Sequence, residues 1–163
     1  MDEVQVTEMT EVATKAAFLL RFPDFVRWPT PMGDTLHIGV SGDDALLEVL
    51  AQLAEQENER RHSAPYGVAV IGVTAPAEAR ECEVLVLGEE AVLDLLPPLA
   101  PAHPAGTLTV GIWDESRDGT IIRLFRDGDR VRFDISQALA QEAGLQISSK
   151  LLNLARNQSD RSQ

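Results

Sequence analysis

"TLHIGVSGDDALLEVLAQLAEQ", residues 35–56, changes its period partway along. "TLHIGV" (35–40) is a short apolar run of strand type. From Leu46 onward apolar residues return every three or four positions, which is helical spacing. Ser41 or Asp43 stands where a helix N-cap belongs, with a side-chain oxygen able to accept from the first turn's N–H groups. A strand feeding directly into an amphipathic helix is the repeating unit of an α/β fold.

The unit recurs downstream. After a polar exit, "EQENERRHS" (55–63), "YGVAVIGVT" (66–74) reads as the second strand and "APAEAREC" as a short helical turn. "EVLVLG" (83–88) is the third strand, with "EEAVLDLLPPLA" as its helix. A proline-rich loop, "PLAPAHPAG", leads to the fourth strand, "TLTVGIW" (107–113). Strands alternating with helices predict a mostly parallel sheet. The pattern then becomes local: "GTIIRLF" and "DRVRFDI" flank Asp127-Gly128, a strong hairpin signal. Ser136 caps "QALAQEAG", Gly144 stops it, and a last amphipathic helix starts near Ser149. The expectation is a single-domain, Rossmann-like three-layer α/β fold over residues 10–157, with a mostly parallel sheet and a C-terminal β-hairpin. Residues 1–9 are expected to be flexible and residues 158–163 a disordered tail.

Upstream, "KAAFLLRFPDFVRWP" (15–29) belongs to a helix expected from Thr10 to Trp28. Val12, Ala16, Leu19 and Val26 form one apolar stripe and Phe18, Phe22 and Phe25 a second. Arg21, Asp24 and Arg27 lie on the solvated side. Pro23 lacks an N–H and should kink the helix, and Trp28-Pro29 should end it.

The 163 residues carry a net charge of -12, with 44% hydrophobic and 25% charged residues, a globular composition. Residues 1–116 hold 6 Lys/Arg against 20 Asp/Glu, and residues 117–163 hold 8 against 6. Such a chain repels phosphate backbones, so nucleic acid is excluded as a partner, while the basic C-terminal third can still form a local anion-attracting patch. No apolar run approaches the roughly 20 residues of a membrane span. Met1-Asp2-Glu3 is acidic where a secretory leader would be basic. One cysteine, Cys82, allows no intramolecular disulfide, and with Glu81 and Glu83 beside it reads as a small buried residue.

Chemical motifs are sparse. Two strand-to-helix turns, "IGVSGDDALL" and "LVLGEEAVL", place Asp43-Asp44 and Glu89-Glu90 where a nucleotide fold would admit phosphate. Those acids stabilise a helix start and repel phosphate. His37, His62 and His103 share no metal-ligand spacing, and no nucleophile motif occurs, so neither an enzyme nor a cofactor is expected. The hairpin offers more. With Asp127-Gly128 as a two-residue turn, Arg123 would face Arg132 across the ladder with Asp134 next along. Facing like charges want an offsetting carboxylate or anion, which makes these residues a candidate contact site. Phe25, Arg27 and Trp28 at the end of the first helix are a second candidate for docking a partner.

Taken together, three blocks resemble the YfiR-type periplasmic repressor family: "KAAFLLRFPDFVRWP", "ECEVLVLG" and "DGTIIRLFRDGDRVRFDISQALAQEAGLQISSKLLNLA". The resemblance spans about residues 12 to 156. It implies an exported, non-enzymatic α/β protein that holds a membrane diguanylate cyclase inactive from the periplasm, controlling cyclic-di-GMP and biofilm formation. An outer-membrane lipoprotein relieves repression in the family, and related domains serve as extracytoplasmic sensory modules, which gives a small-molecule-binding alternative. The family's contact pocket maps onto Asp134, Gln146 and Ser148. Asp134 stands where the family has Glu and Ser136 where it has Asn. Studied members use disulfides, from which a chain with Cys82 alone departs. A homodimer is a further expectation, from apolar surface on the first helix.

Overall fold

The computed structural model describes residues 3–28, 33–60, 67–74, 76–79, 81–88, 107–114 and 119–155. In chain order these form α1 (Glu3–Arg21), a 3-10 turn (Phe22–Phe25), β1 (Val26–Arg27), β2 (Thr35–Ser41), α2 (Asp44–Arg60), β3 (Gly67–Gly72) and α3 (Pro76–Ala79). They continue with β4 (Val84–Leu87), β5 (Leu108–Ile112), β6 (Ile122–Asp127), β7 (Arg130–Ile135), α4 (Gln137–Glu142), β8 (Gln146–Ile147) and α5 (Ser149–Leu154). The helix expected in "EEAVLDLLPPLA", the loop "PLAPAHPAG" and the tail 158–163 lie outside the described residues.

Six strands form one sheet in the order β3-β2-β4-β5-β6-β7. All pairings are parallel except the β6–β7 hairpin. The mostly parallel, helix-flanked sheet is the Rossmann-like domain expected. β4 shows why its sequence reads as a continuous apolar run: all four residues are buried, and alternate ones serve opposite faces. Val84 and Val86 join the main core with Ile38 and Val40 of β2 and with Leu19, Phe22, Leu46 and Leu50 from the helical segments. Leu85 and Leu87 join a smaller core with Val73, Ala79, Cys82 and Trp113 on the other face.

The helices depart from their sequence reading at the ends. α1 begins at Glu3, well before Thr10, and stops at Arg21 instead of running to Trp28. Pro23 does more than kink it: the chain tightens into the 3-10 turn, and Val26 then turns extended, its N–H donating to Pro23 O. α2 runs through the expected polar exit to Arg60, because Glu, Gln and Arg are good helix formers. Its Asn58 amide also donates to Val68 O at 2.9 Å and accepts from Val68 N at 2.8 Å, tying the helix to β3. Asp43 is the cap of α2, accepting from Leu46 N at 3.0 Å. Ser136 caps α4 as expected, accepting from Leu139 N at 3.3 Å.

α1 covers the hairpin end of the sheet through an aromatic cluster. Phe22 meets Phe133 edge-on at 5.2 Å, and Phe18 lies 5.9 Å from Phe22 and 5.6 Å from Phe133. From Thr10 onward α1 exposes no large apolar side chain. Among the described residues that distinction belongs to Leu154 on α5.

Candidate functional site

The hairpin turn lies one residue later than in the sequence reading, which moves every cross-strand partner by two residues. Gly128 and Asp129 form the turn, with Asp127 paired to Arg130, and Gly128 takes a φ of 66° at the first turn position. A glycine-first turn suits a two-residue hairpin as well as Asp-Gly does, and the shift changes every cross-strand partner. Arg123 therefore faces Asp134, not Arg132, and Arg132 faces Phe125. The like-charge pair that made the hairpin a candidate contact does not exist.

Arg123 is instead a buried internal clamp. Its Nη2 lies 3.1 Å from Asp134 Oδ2, and Nη1 donates to Asp114 O at 2.8 Å and Trp113 O at 3.3 Å. The guanidinium also sits 4.1 Å from the Phe125 ring centroid. These contacts join the end of β5 to both hairpin strands. Arg132 is exposed to a greater degree and pairs with Asp127 at 3.2 Å.

The other candidates converge. β1 and β8 form a two-stranded antiparallel sheet in which Val26 pairs with Ile147 and Arg27 with Gln146. Ser148 N donates to Phe25 O at 2.8 Å, and the Ser148 hydroxyl accepts from Lys150 N at 3.2 Å at the start of α5. Around this clip lies a groove of about 390 Å³, lined by Asp24, Phe25, Val26, Arg27, Gln146, Ile147 and Ser148. Four sequence candidates, Phe25, Arg27, Gln146 and Ser148, thus share one surface. Asp134 does not line it. Trp28 follows directly, packed against the main core, and its Nε1 is buried without a hydrogen-bond partner among the described residues. Leaving such a donor unmade costs about 1–3 kcal/mol. Asp24, Val26 and Ile147, each a sequence neighbour of a candidate, also line the groove.

At the strand ends where such folds admit a nucleotide, the described residues Ser41–Asp43 and Gly88 approach closely. The strand order reverses between β2 and β4, the usual crevice for ligands in such folds. Here Gly88 N donates to Ser41 O at 2.7 Å, and a Cβ at Gly88 would stand 2.5 Å from Gly42 O. Glu89 and Glu90 lie outside the described residues. His37 Nδ1 lies 3.2 Å from Glu83 Oε1, which also accepts from His37 N at 2.6 Å. His62 and His103 lie outside the described residues. No group of three metal-ligating side chains occurs among the described residues, and no described helix is long and apolar enough to cross a membrane. Cys82 is buried, and burial, reinforced by Glu83, Glu81 and Glu78, pushes its thiol up to about 12.

Compared with known families, residues 12–156 match a family described as YfiR/HmsC-like. No curated protein matches the chain.

Proposed function

Because the chain belongs to the YfiR/HmsC-like family of periplasmic diguanylate cyclase regulators, we propose that it represses a membrane diguanylate cyclase by binding the cyclase's periplasmic part through the β1–β8 groove. The observation that carries this reading is the convergence itself. The front and back blocks of the family resemblance, far apart in sequence, supply the two walls of one groove. Its lining suits a protein partner: an aromatic residue, an exposed arginine, and amide and hydroxyl groups able to take backbone hydrogen bonds. The role is regulatory and non-catalytic, with cyclic-di-GMP level and biofilm formation as its outputs. An outer-membrane lipoprotein that relieves repression would compete for the same groove. The reading holds for a monomer or a homodimer.

The test is binding of the purified protein to the periplasmic segment of a diguanylate cyclase from the same organism. Arg27→Glu and Gln146→Arg alter exposed side chains, so the fold should survive. Saturable binding weakened at least about tenfold in both variants, the equivalent of about 1.4 kcal/mol, is the expected result. Binding unchanged in both would move the contact elsewhere, and no binding by the wild type would overturn the repressor reading.

A further inference from the structure

The six-stranded sheet ends in two edge strands, β3 and β7, which differ in kind. An open edge is a template for pairing with another chain, and charged side chains, proline or a bulge are the usual devices that blunt it. β7, RVRFDI, carries three charges. β3, GVAVIG, carries no charge and no proline. It pairs with β2 residue for residue from Gly67 to Gly72, so no bulge bends it away.

The ladder fixes which way the β3 backbone groups point. Gly67 N donates to Asp34 O and Val73 N to Val40 O, both at 2.9 Å, so Gly67, Ala69, Ile71 and Val73 turn toward β2. Val68, Val70, Gly72 and Thr74 turn outward. Side chains of the chain itself occupy both ends of this outward row. Asn58 takes the N–H and the C=O of Val68, at 2.8 and 2.9 Å, and Glu78 Oε1 accepts from Thr74 N at 2.9 Å. Between those caps, Val70 and Gly72 have no partner for N–H or C=O among the described residues.

The uncapped segment is self-complementary. About a two-fold axis at Ile71, an antiparallel second β3 sets Val70 opposite Gly72 and Gly72 opposite Val70, and each pair exchanges two N–H···O bonds. An axis at Val70 or at Gly72 would instead set an uncapped residue against a capped one. Ile71 meets its own copy as the close, non-hydrogen-bonded pair, with Cα atoms about 4.5 Å apart. Its side chain is half-buried on the face of the smaller core, so the pairing covers apolar surface that one chain alone leaves open. A foreign strand that ran on would meet the Asn58 side chain, whereas β3 ends at Gly72 and the chain turns off toward α3.

We propose that two copies of the chain pair antiparallel through β3, about a two-fold axis at Ile71, joining their sheets edge to edge. The contact shares no residue with the groove and does not depend on the cyclase reading.

The experiment combines sedimentation equilibrium of the full chain, from about 1 μM to about 1 mM, with amide hydrogen exchange by NMR at both ends of that range. High salt screens the repulsion between two chains of net charge -12. The mass should rise toward that of a dimer, and the Val70 and Gly72 amides should exchange at least about tenfold more slowly in the concentrated sample. Ala69 and Ile71, bonded to β2, should be protected at both concentrations. Ile71→Lys sets two ammonium groups against each other and should weaken the dimer at least about tenfold, with its melting temperature in dilute solution as the check on folding. Leu154→Ser, which removes the exposed apolar side chain of α5, should leave the dimer intact. A monomer at every concentration would overturn the proposal. So would a dimer in which exchange at Val70 and Gly72 does not depend on concentration, and that readout needs no variant.

Discussion

Replacing Asp134 with alanine should destabilise the fold by about 3 kcal/mol, the lower end of the range for removing one partner of a buried ion pair. The lower end applies because Arg123 keeps two carbonyl acceptors, at 2.8 and 3.3 Å, and the Phe125 ring at 4.1 Å. The Arg123 side chain, 8% exposed, loses a carboxylate 3.1 Å away. In a chain of this size that loss lowers Tm by about 6–12 °C. Arg123→Met in the same background removes the stranded charge, so the double variant should be more stable than the sum of the singles implies, with a coupling of about 2 kcal/mol. Urea unfolding followed by tryptophan fluorescence measures all four proteins, with an unchanged m value as the check on two-state behaviour. A loss under about 1 kcal/mol for Asp134→Ala, or strict additivity, would refute the clamp.

Two further outcomes follow from the smaller core. A Cβ at Gly39 would stand 2.5 Å from Val73 Cγ2 and 2.6 Å from Cys82 Sγ, so Gly39→Ala should cost about 1–3 kcal/mol by overpacking. Adding Cys82→Ala should recover part of it, as read by thermal unfolding. The Cys82 thiol, raised from 9.0 to about 12, stays protonated in the folded state while the unfolded state ionises near 9. Above that pH the unfolded state binds fewer protons, so this contribution is fully present below pH 9 and is lost as pH rises from 9 towards 12. The difference in stability between the wild type and Cys82→Ala should shrink or reverse over that window in denaturation curves taken at several pH values.

The parallel strands are legible because burial on both faces writes itself as continuous apolar runs, as in "EVLVLG". The hairpin's existence is legible too, but its register is not. Asp127-Gly128 and Gly128-Asp129 are both acceptable turns, and the side-chain alternation of "RLFRDGDRVRF" does not choose between them. The choice decides whether Arg123 faces an arginine or an aspartate, so the error falls on the very residues singled out as a site. β1 and β8 are invisible for a different reason. Val26-Arg27 and Gln146-Ile147 are too short to show a period, and each is extended only because the other is there. The candidate residues can be named from sequence, but not their meeting.

That meeting also has a place in time. β1 and β8 lie near opposite ends of the described chain, so closing them spans the longest loop of any strand pairing in the fold. A contact of such high sequence separation, made of two ladder pairs and the Ser148 N–Phe25 O bond, should form after the central strands and open before them. On that expectation the groove is a late-assembled and locally reversible part of the molecule. It can be dismantled while the sheet stays folded, which makes the presence of the surface, and not only its occupancy, something a cell could adjust.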